Sequence, residues 1–487
     1  MTRQQRRHTE RKLKKIKIIP CDIKLTASSG LGTVLEIFEN SPLAAEFRKC
    51  LPERVSHRSS GSYFLGLMVM AGHIHGVEAL ADLAEIREDP YVTQLFCDDV
   101  AAVRTIGDFL RDFTPVHIEL MNDFLNIMSR TLFSSLQMNL PECFKPRDLI
   151  IDMDSTYHEH FGEKIEGVAW NYKNEWSIET QVAFSNLGFC HGVQMRPGNT
   201  KSGTGAASAI ERIFQDARSQ LKRKRGGLDY YRADSAYCHQ EVIRSLLKLG
   251  VHFTLTANEA TTHWKTQMKE EGLSWTEWTY SAEERKKATV QERDLPRVEV
   301  SRFFWRPSWS EKMLMFPVVV KRTWKPAKTE DQHDLFAPDT VMADGEREYY
   351  AVVTNFDLSK WSLQDVIAHH AKRGNAENFV KEEKYNFKLK NFPCQKMLAN
   401  HAWVQLALVA HNMIRWIALM DKPERPHFSK KVRRKYIFNA GKLVYHAGQW
   451  ALRVMESVYE RGLGKMREEG WQFPETVPAQ LTPVPSG

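Results

Sequence analysis

The sequence predicts a layered α/β domain, preceded by an all-helical N-terminal domain and interrupted by a β-rich segment. Three observations predict it. Between about 30 and 140, apolar residues recur at i, i+3 and i+4, the period of amphipathic helices. From "FKPRDLIIDMDST" onward, short apolar runs bounded by turn residues alternate with amphipathic stretches, the pattern of strands covered by helices. Between about 258 and 357, Trp264, Trp275, Trp278, Trp305, Trp309 and Trp324 crowd among runs of strand-forming residues.

Residues 1–28 read as a basic arm. "MTRQQRRHTERKLKKIKIIP" has basic residues but no following apolar stretch and no small-residue cleavage site, so it is not a secretory signal. Residues 29–145 carry the helical periodicity, in which no recognition helix stands out. Residues 146–257 hold the first α/β part. Leu149, Ile150 and Ile151 form a buried strand after Pro146, and "SIETQVAFSN" and "GFCHGVQMRPGNT" are strands parted by Asn186 and Gly188. "GTGAASAIERIFQDARSQL" is an amphipathic helix and "LDYYRADSAY" a strand ending in an acid. "HQEVIRSLLKLG" is a helix closed by Gly250, and "VHFTLTAN" a further strand. Residues 258–357 form the β-rich segment, with strands in "RVEVSRFFWRP", "KMLMFPVVVKRTW" and "REYYAVVTNF". Residues 358–420 return to helix, first polar in "HHAKRGNAENFVKEEKYNF", then apolar in "MLANHAWVQLALVAHNMIRWIALM". Residues 421–470 read as a basic helical region and 471–487 as a Pro-rich, disordered tail.

Composition narrows the function. Apolar content of 42% and charged content of 26% are ordinary for a soluble protein. No apolar run approaches the roughly 18 residues of a membrane span. The seven cysteines are odd in number and form no CxxC pair, which argues against a disulfide framework or structural zinc and for a reducing cytoplasm. Net charge is +8, from 68 basic and 60 acidic residues, and the bases cluster in the arm, in "QLKRKRGG" and in "SKKVRRKY". Nucleic acid is the natural partner of such clusters. "HIHG" and "HHAK" lack zinc-site spacing, and "KSGTGAAS" is not a phosphate-binding Walker loop, so no ATP requirement is expected.

Three acids end core elements. Alternation places Asp152 and Asp154 on one side of their strand, with Asp154 at its C-terminal end, and Asp234 closes another strand. Taken singly, each is as readily a helix cap. Glu377 stands in a helical stripe with His370, Arg373, Lys381 and Lys384, which on its own reads equally as a surface ladder of i, i+4 ion pairs. Together the three acids can form a carboxylate cluster, and hard oxygen ligands select Mg²⁺ or Mn²⁺. Two such ions in one active site can drive phosphodiester cleavage without a covalent enzyme intermediate.

"DST", then "RADSAY", then R-x3-E-x6-K resemble the DDE transposases of bacterial insertion sequences, and more narrowly their cut-and-paste branch with the Y-x2-R-x3-E-x6-K signature. Arg373, Glu377 and Lys384 match that signature in spacing, while His370 stands at the tyrosine position. "MRPGNT" and the apolar helix after the glutamate look similar too, and the likeness covers about 145–420. The resemblance implies an RNase H-like core, with a mixed five-stranded sheet flanked by helices and a β-rich insertion between the second and third acids. It implies Asp154, Asp234 and Glu377 as catalytic, metal-binding acids, with Asp152 competing for the first place. Arg373, Lys381, Lys384 and His370 are then expected on DNA, and an insertion tryptophan under a flipped base, with Trp264, Trp305 and Trp324 nominated. The implied activity is binding of terminal inverted repeats, cleavage through a DNA hairpin and joining of 3′ ends to target DNA by a homodimer at the bacterial nucleoid. A metal-dependent nuclease without strand transfer, and a domesticated DNA-binding protein, are the alternatives.

Overall fold

The computed structural model describes residues 18–477 and Leu481, apart from 21, 55–60, 161, 163, 216–227, 271, 292–293, 311–313, 325–340, 344–346, 390 and 469. Most of the basic arm, the "QLKRKRGG" cluster and most of the Pro-rich end therefore lie outside the described residues.

Helices build one half of the molecule. Helices α1 (Ser62–His75), α2 (Val103–Arg111) and α3 (Pro115–Asn139) come from the expected helical region. α1 ends where Gly76 turns to φ +105 and its N–H bonds back to Gly72, a conformation that a Cβ would disfavour. α3 starts with a proline at its first position, where no intrahelical N–H is lost.

The other half is a mixed sheet. Strands β1 (Leu149–Glu159), β2 (Trp176–Ser185) and β3 (Cys190–Pro197) are antiparallel neighbours, with β2 in the middle. Helix α4 (Ala206–Gln215) then leads toward β4 (Asp229–Ala233), which lies parallel to β1. Helix α5 (Gln240–Leu249) ends at Gly250 in the left-handed region and crosses to β5 (His252–Thr256), parallel to β4. Across these five strands the order is β3-β2-β1-β4-β5. The β-rich segment continues this sheet: β6 (Val298–Trp305), β7 (Phe316–Trp324) and β8 (Arg347–Thr354) follow, and β8 pairs antiparallel with β5.

Two further helices, α6 (Leu363–Ala371) and α7 (Gly374–Asn386), lead into α8 (Met397–Asp421), which is apolar on nearly every face. Such a helix must be covered on all sides. α8 packs on α1, α2 and α3, and its side chains share one apolar cluster with Val182, Phe184 and Val193 of the sheet. The helical half and the sheet are thus joined by a continuous core.

Four expectations need correction. β1 does not end at Asp154 but runs on to Glu159, because β2 continues to pair with it. The polar stretch 369–387 is not one helix, since α6 stops at Ala371 and α7 restarts at Gly374. The basic region 421–470 contains a hairpin, β9 (Gly441–His446) and β10 (Gln449–Val454). The described part of the Pro-rich end is docked: Trp471 and Phe473 pack on Trp416 at 4.7 and 5.1 Å, and Gln472 hydrogen-bonds Ser135 and Asn139.

Candidate active site

Two aspartates meet where β4 stops. The last register pair between β1 and β4 is Met153 with Ala233, so Asp154 and Asp234 are the next residues on adjacent strands. Asp234 Oδ1 accepts the Ala236 N–H at 2.9 Å and caps a one-turn helix, Ser235–Tyr237. Capping and a place at the site are therefore combined in one side chain. Asp154 Oδ1 accepts the Ser155 N–H at 2.9 Å, and its Oδ2 faces Arg373 Nη1 at 3.8 Å.

The pair is electrostatically strained. Burial first, and then the Asp234 carboxylate, push Asp154 up to about 6, with Arg373 opposing and Glu377 adding a smaller like-charge push. Burial raises Asp234 as well, against the Ala236 bond and Arg373. Two desolvated carboxylates side by side favour either a shared proton or a bound cation.

Asp152 has a different fate. It is 2% exposed and takes a bidentate bond from Arg232, Nε to Oδ1 at 2.6 Å and Nη2 to Oδ2 at 2.7 Å. Arg232 Nη1 also donates to the His369 carbonyl at 2.8 Å, tying α6 to the sheet. Asp152 is therefore occupied by Arg232, whereas Asp154 faces Arg373.

The break between α6 and α7 positions the remaining groups. α6 lies along the sheet at β5, whereas α7 packs over β1 and β2. One straight helix cannot follow both courses, and Gly374, a poor helix former, opens the second. Arg373 sits at the joint and reaches Asp154. Glu377 is exposed in the first turn of α7, near enough for its charge to act on Asp154. No ion pair joins Glu377 to Arg373 or Lys381 among the described residues; Arg373 faces Asp154 instead. Lys381 is exposed, and Lys384 Nζ donates to the Tyr157 carbonyl at 2.8 Å, pinning α7 to β1 beyond the acids.

His370 is not placed to meet DNA. It is 2% exposed, with Nδ1 2.9 Å from Thr254 Oγ1 and Nε2 3.1 Å from Thr256 Oγ1. Burial lowers its pKa to about 3, so the ring is neutral and serves to fasten α6 to β5. Trp264 and Trp305 are likewise core residues, 0% and 3% exposed, and leave no face for a base. Trp324 is half-buried among Arg297, Arg322 and Arg347, whose guanidinium carbons lie 4.4, 5.0 and 5.4 Å from its ring.

Sequence reasoning missed three contributors. Arg232 lies within the quoted "RADSAY", but only the fold shows that it faces Asp152. Tyr350 of β8 bonds Thr256 Oγ1 at 2.7 Å and feels the charges of Arg373 and Asp234. The loop after "MRPGNT" is wedged in place: a Cβ on Gly198 would stand 2.0 Å from the Ser177 carbonyl oxygen, and one on Gly203 2.4 Å from that of Ala236. Glycine is needed there for close approach, which supplies a physical reason for part of that motif.

Two of the donors that a hard divalent cation takes are in place. Asp154 and Asp234 are adjacent, desolvated oxygen donors of the kind Mg²⁺ or Mn²⁺ accepts. Among the described residues no group of three His, Cys, Asp or Glu side chains is gathered closely enough to hold an ion, so the pair is the part of the site that is assembled. No single helix among the described residues is long and apolar enough to cross a membrane. No curated protein matches the chain. A family model described as transposase DDE domain group 1 matches residues 22–463.

Proposed function

The chain belongs to the DDE transposase family, and from that premise we propose that it cuts its own element from DNA with an RNase H-like site made of Asp154, Asp234 and Glu377. Members of such a family are transposases, suggesting metal-dependent DNA cleavage. The reading goes further: the chain binds terminal inverted repeats, nicks at the element boundary, proceeds through a DNA hairpin and joins the 3′ ends to target DNA as a paired homodimer. One observation carries it. Asp154 and Asp234 are neighbouring, desolvated carboxylates; Arg373 acts on both and Glu377 on Asp154, and these two come from the stretch with the R-x3-E-x6-K spacing.

Divalent ions, two per site when bound, would activate the attacking oxygen and stabilise the leaving oxygen of the phosphodiester. Asp154 and Asp234 provide the oxygens that hold them. Glu377, in the first turn of α7, would be the third donor. Arg373 balances the two aspartates and is placed to meet a phosphate, for which its planar fork is suited. Lys381, exposed two turns further along, and Lys384 extend positive charge away from the acids. Trp324 is the nominated tryptophan that keeps an accessible position, and stacking a base on an aromatic contributes about 1–3 kcal/mol.

The test is a denaturing gel of labelled DNA carrying the inverted repeats, with Mg²⁺, for wild type and Glu377→Gln. Wild-type nicking at the boundary that is lost in Glu377→Gln is the expected result, and equal cleavage by both proteins would remove Glu377 from the site. A covalently closed product supports the hairpin. Cleavage without joining to a target duplex supports the nuclease alternative instead.

A further inference from the structure

A second candidate DNA surface stands apart from the acids. From Ser429 to Met455 the sequence contains no Asp or Glu, and the β9–β10 hairpin lies inside that stretch. The hairpin joins the short strand Leu25–Thr26 in a three-stranded sheet. Its inner face is anchored, because Leu443 is 6% exposed and a Cβ on Gly441 would stand 2.9 Å from Leu452 and 3.1 Å from Ser29. Its tip is a tight turn with Ala447 at φ 50 and Gly448 at φ 78, the two-residue geometry that matches strand twist.

The outer face is where the sequence opposes the fold. Lys442 and Arg453 are register partners, directly opposite one another, and both are exposed. Neither has an ion-pair partner among the described residues. Like charges facing across a strand pair are destabilising, so this arrangement asks for an external anion. On the opposite face, toward the tip and in line with Leu443, Tyr445 and Trp450 are also register partners, 62% and 41% exposed, and Lys24 Nζ lies 4.8 Å over the Trp450 ring. Lys430, Lys431 and Arg434 are exposed on the segment leading into the hairpin. A rigid ribbon with an unpaired basic face, flanked by further exposed bases, suits a regular array of phosphates.

We propose that the outer face of the β9–β10 hairpin docks the sugar–phosphate backbone of duplex DNA, with Lys442 and Arg453 each neutralising a phosphate. This rests on the reading that the chain acts on DNA. The experiment measures binding of the full chain to a labelled inverted-repeat duplex by anisotropy across a salt series. It compares wild type, Lys442→Thr with Arg453→Thr, and the charge-keeping exchange Lys442→Arg with Arg453→Lys. Each phosphate contact contributes about 0.9 to the slope of log affinity against log salt. The threonine pair should therefore lower the slope by about 1.8 and the exchange should leave it unchanged, while the threonine pair melts at or above the wild-type temperature. An unchanged slope in the threonine pair overturns the proposal, as does an unchanged slope with a shift from dimer to monomer, which would make the face a self-contact. If the threonine pair does not fold, Lys442→Thr alone decides, with a drop of about 0.9 expected and none overturning. Failure of wild type to bind the duplex overturns the underlying reading instead, and is recognised because no variant is needed to see it.

Discussion

Asp152 and Asp154 share a side of β1, yet their partners separate them. Asp152 is closed by Arg232, and Asp154 opens toward Asp234 and Arg373. Asp152→Asn should leave a buried guanidinium without its counter-charge and destabilise the protein by about 3–5 kcal/mol, seen as a large fall in melting temperature. Asp154→Asn relieves repulsion, so it should melt at or above wild type while losing nicking. Equal melting temperatures for the two variants would refute this division of roles. The raised Asp154 also sets a pH dependence. Below about 6 its carboxyl is increasingly protonated in the folded state, and a proton competes with a cation for the same oxygens. Titration of Mn²⁺ should show affinity weakening as pH falls from 7.5 to 5, by about tenfold for each unit below the pKa. A pH-independent affinity would place the ion elsewhere.

Among elements, the joint between α6 and α7 is the most informative. Arg373 reaches the acids because the helix breaks beside it, while His370, three residues earlier, goes into the core. A helical wheel assumes an unbroken axis, so it put both on one face. The C-terminal region shows the reverse error. Proline content argued for disorder, but Trp471 and Phe473 find a ready surface on Trp416. Ending the chain after Gly470 should lower stability by about 2–4 kcal/mol through loss of that apolar contact, measurable by thermal or urea unfolding. A truncated protein as stable as the full chain would return the segment to a passive tail. The hairpin 441–454 escaped because two short strands with lysine, arginine and histidine between apolar residues carry little periodic signal.

For the whole molecule, the expected boundaries at 145 and 420 cut through a single core. α8 packs on α1, α2 and α3 while sharing apolar contacts with the sheet. A fragment spanning 146–420 should therefore expose one side of α8 and fail to give a cooperative melt, whereas the full chain should unfold with its helical and sheet signals together. Cooperative folding of the isolated fragment would show that the boundaries hold. The β-rich segment similarly extends the central sheet through β8, which brings Tyr350 to the acids.

The sequence by itself determined most of the elements, their alternation and the spacing of the three candidate acids, because periodicity, turn residues and short motifs are local properties of the chain. Tertiary structure alone decided which of two nearby aspartates is open, that His370, Trp264 and Trp305 are interior, and that the Pro-rich end is docked. Each of those outcomes depends on a partner far along the chain, such as Arg232 for Asp152 or Thr254 for His370. Burial and pairing are properties of the packed whole, and local pattern carries no record of them.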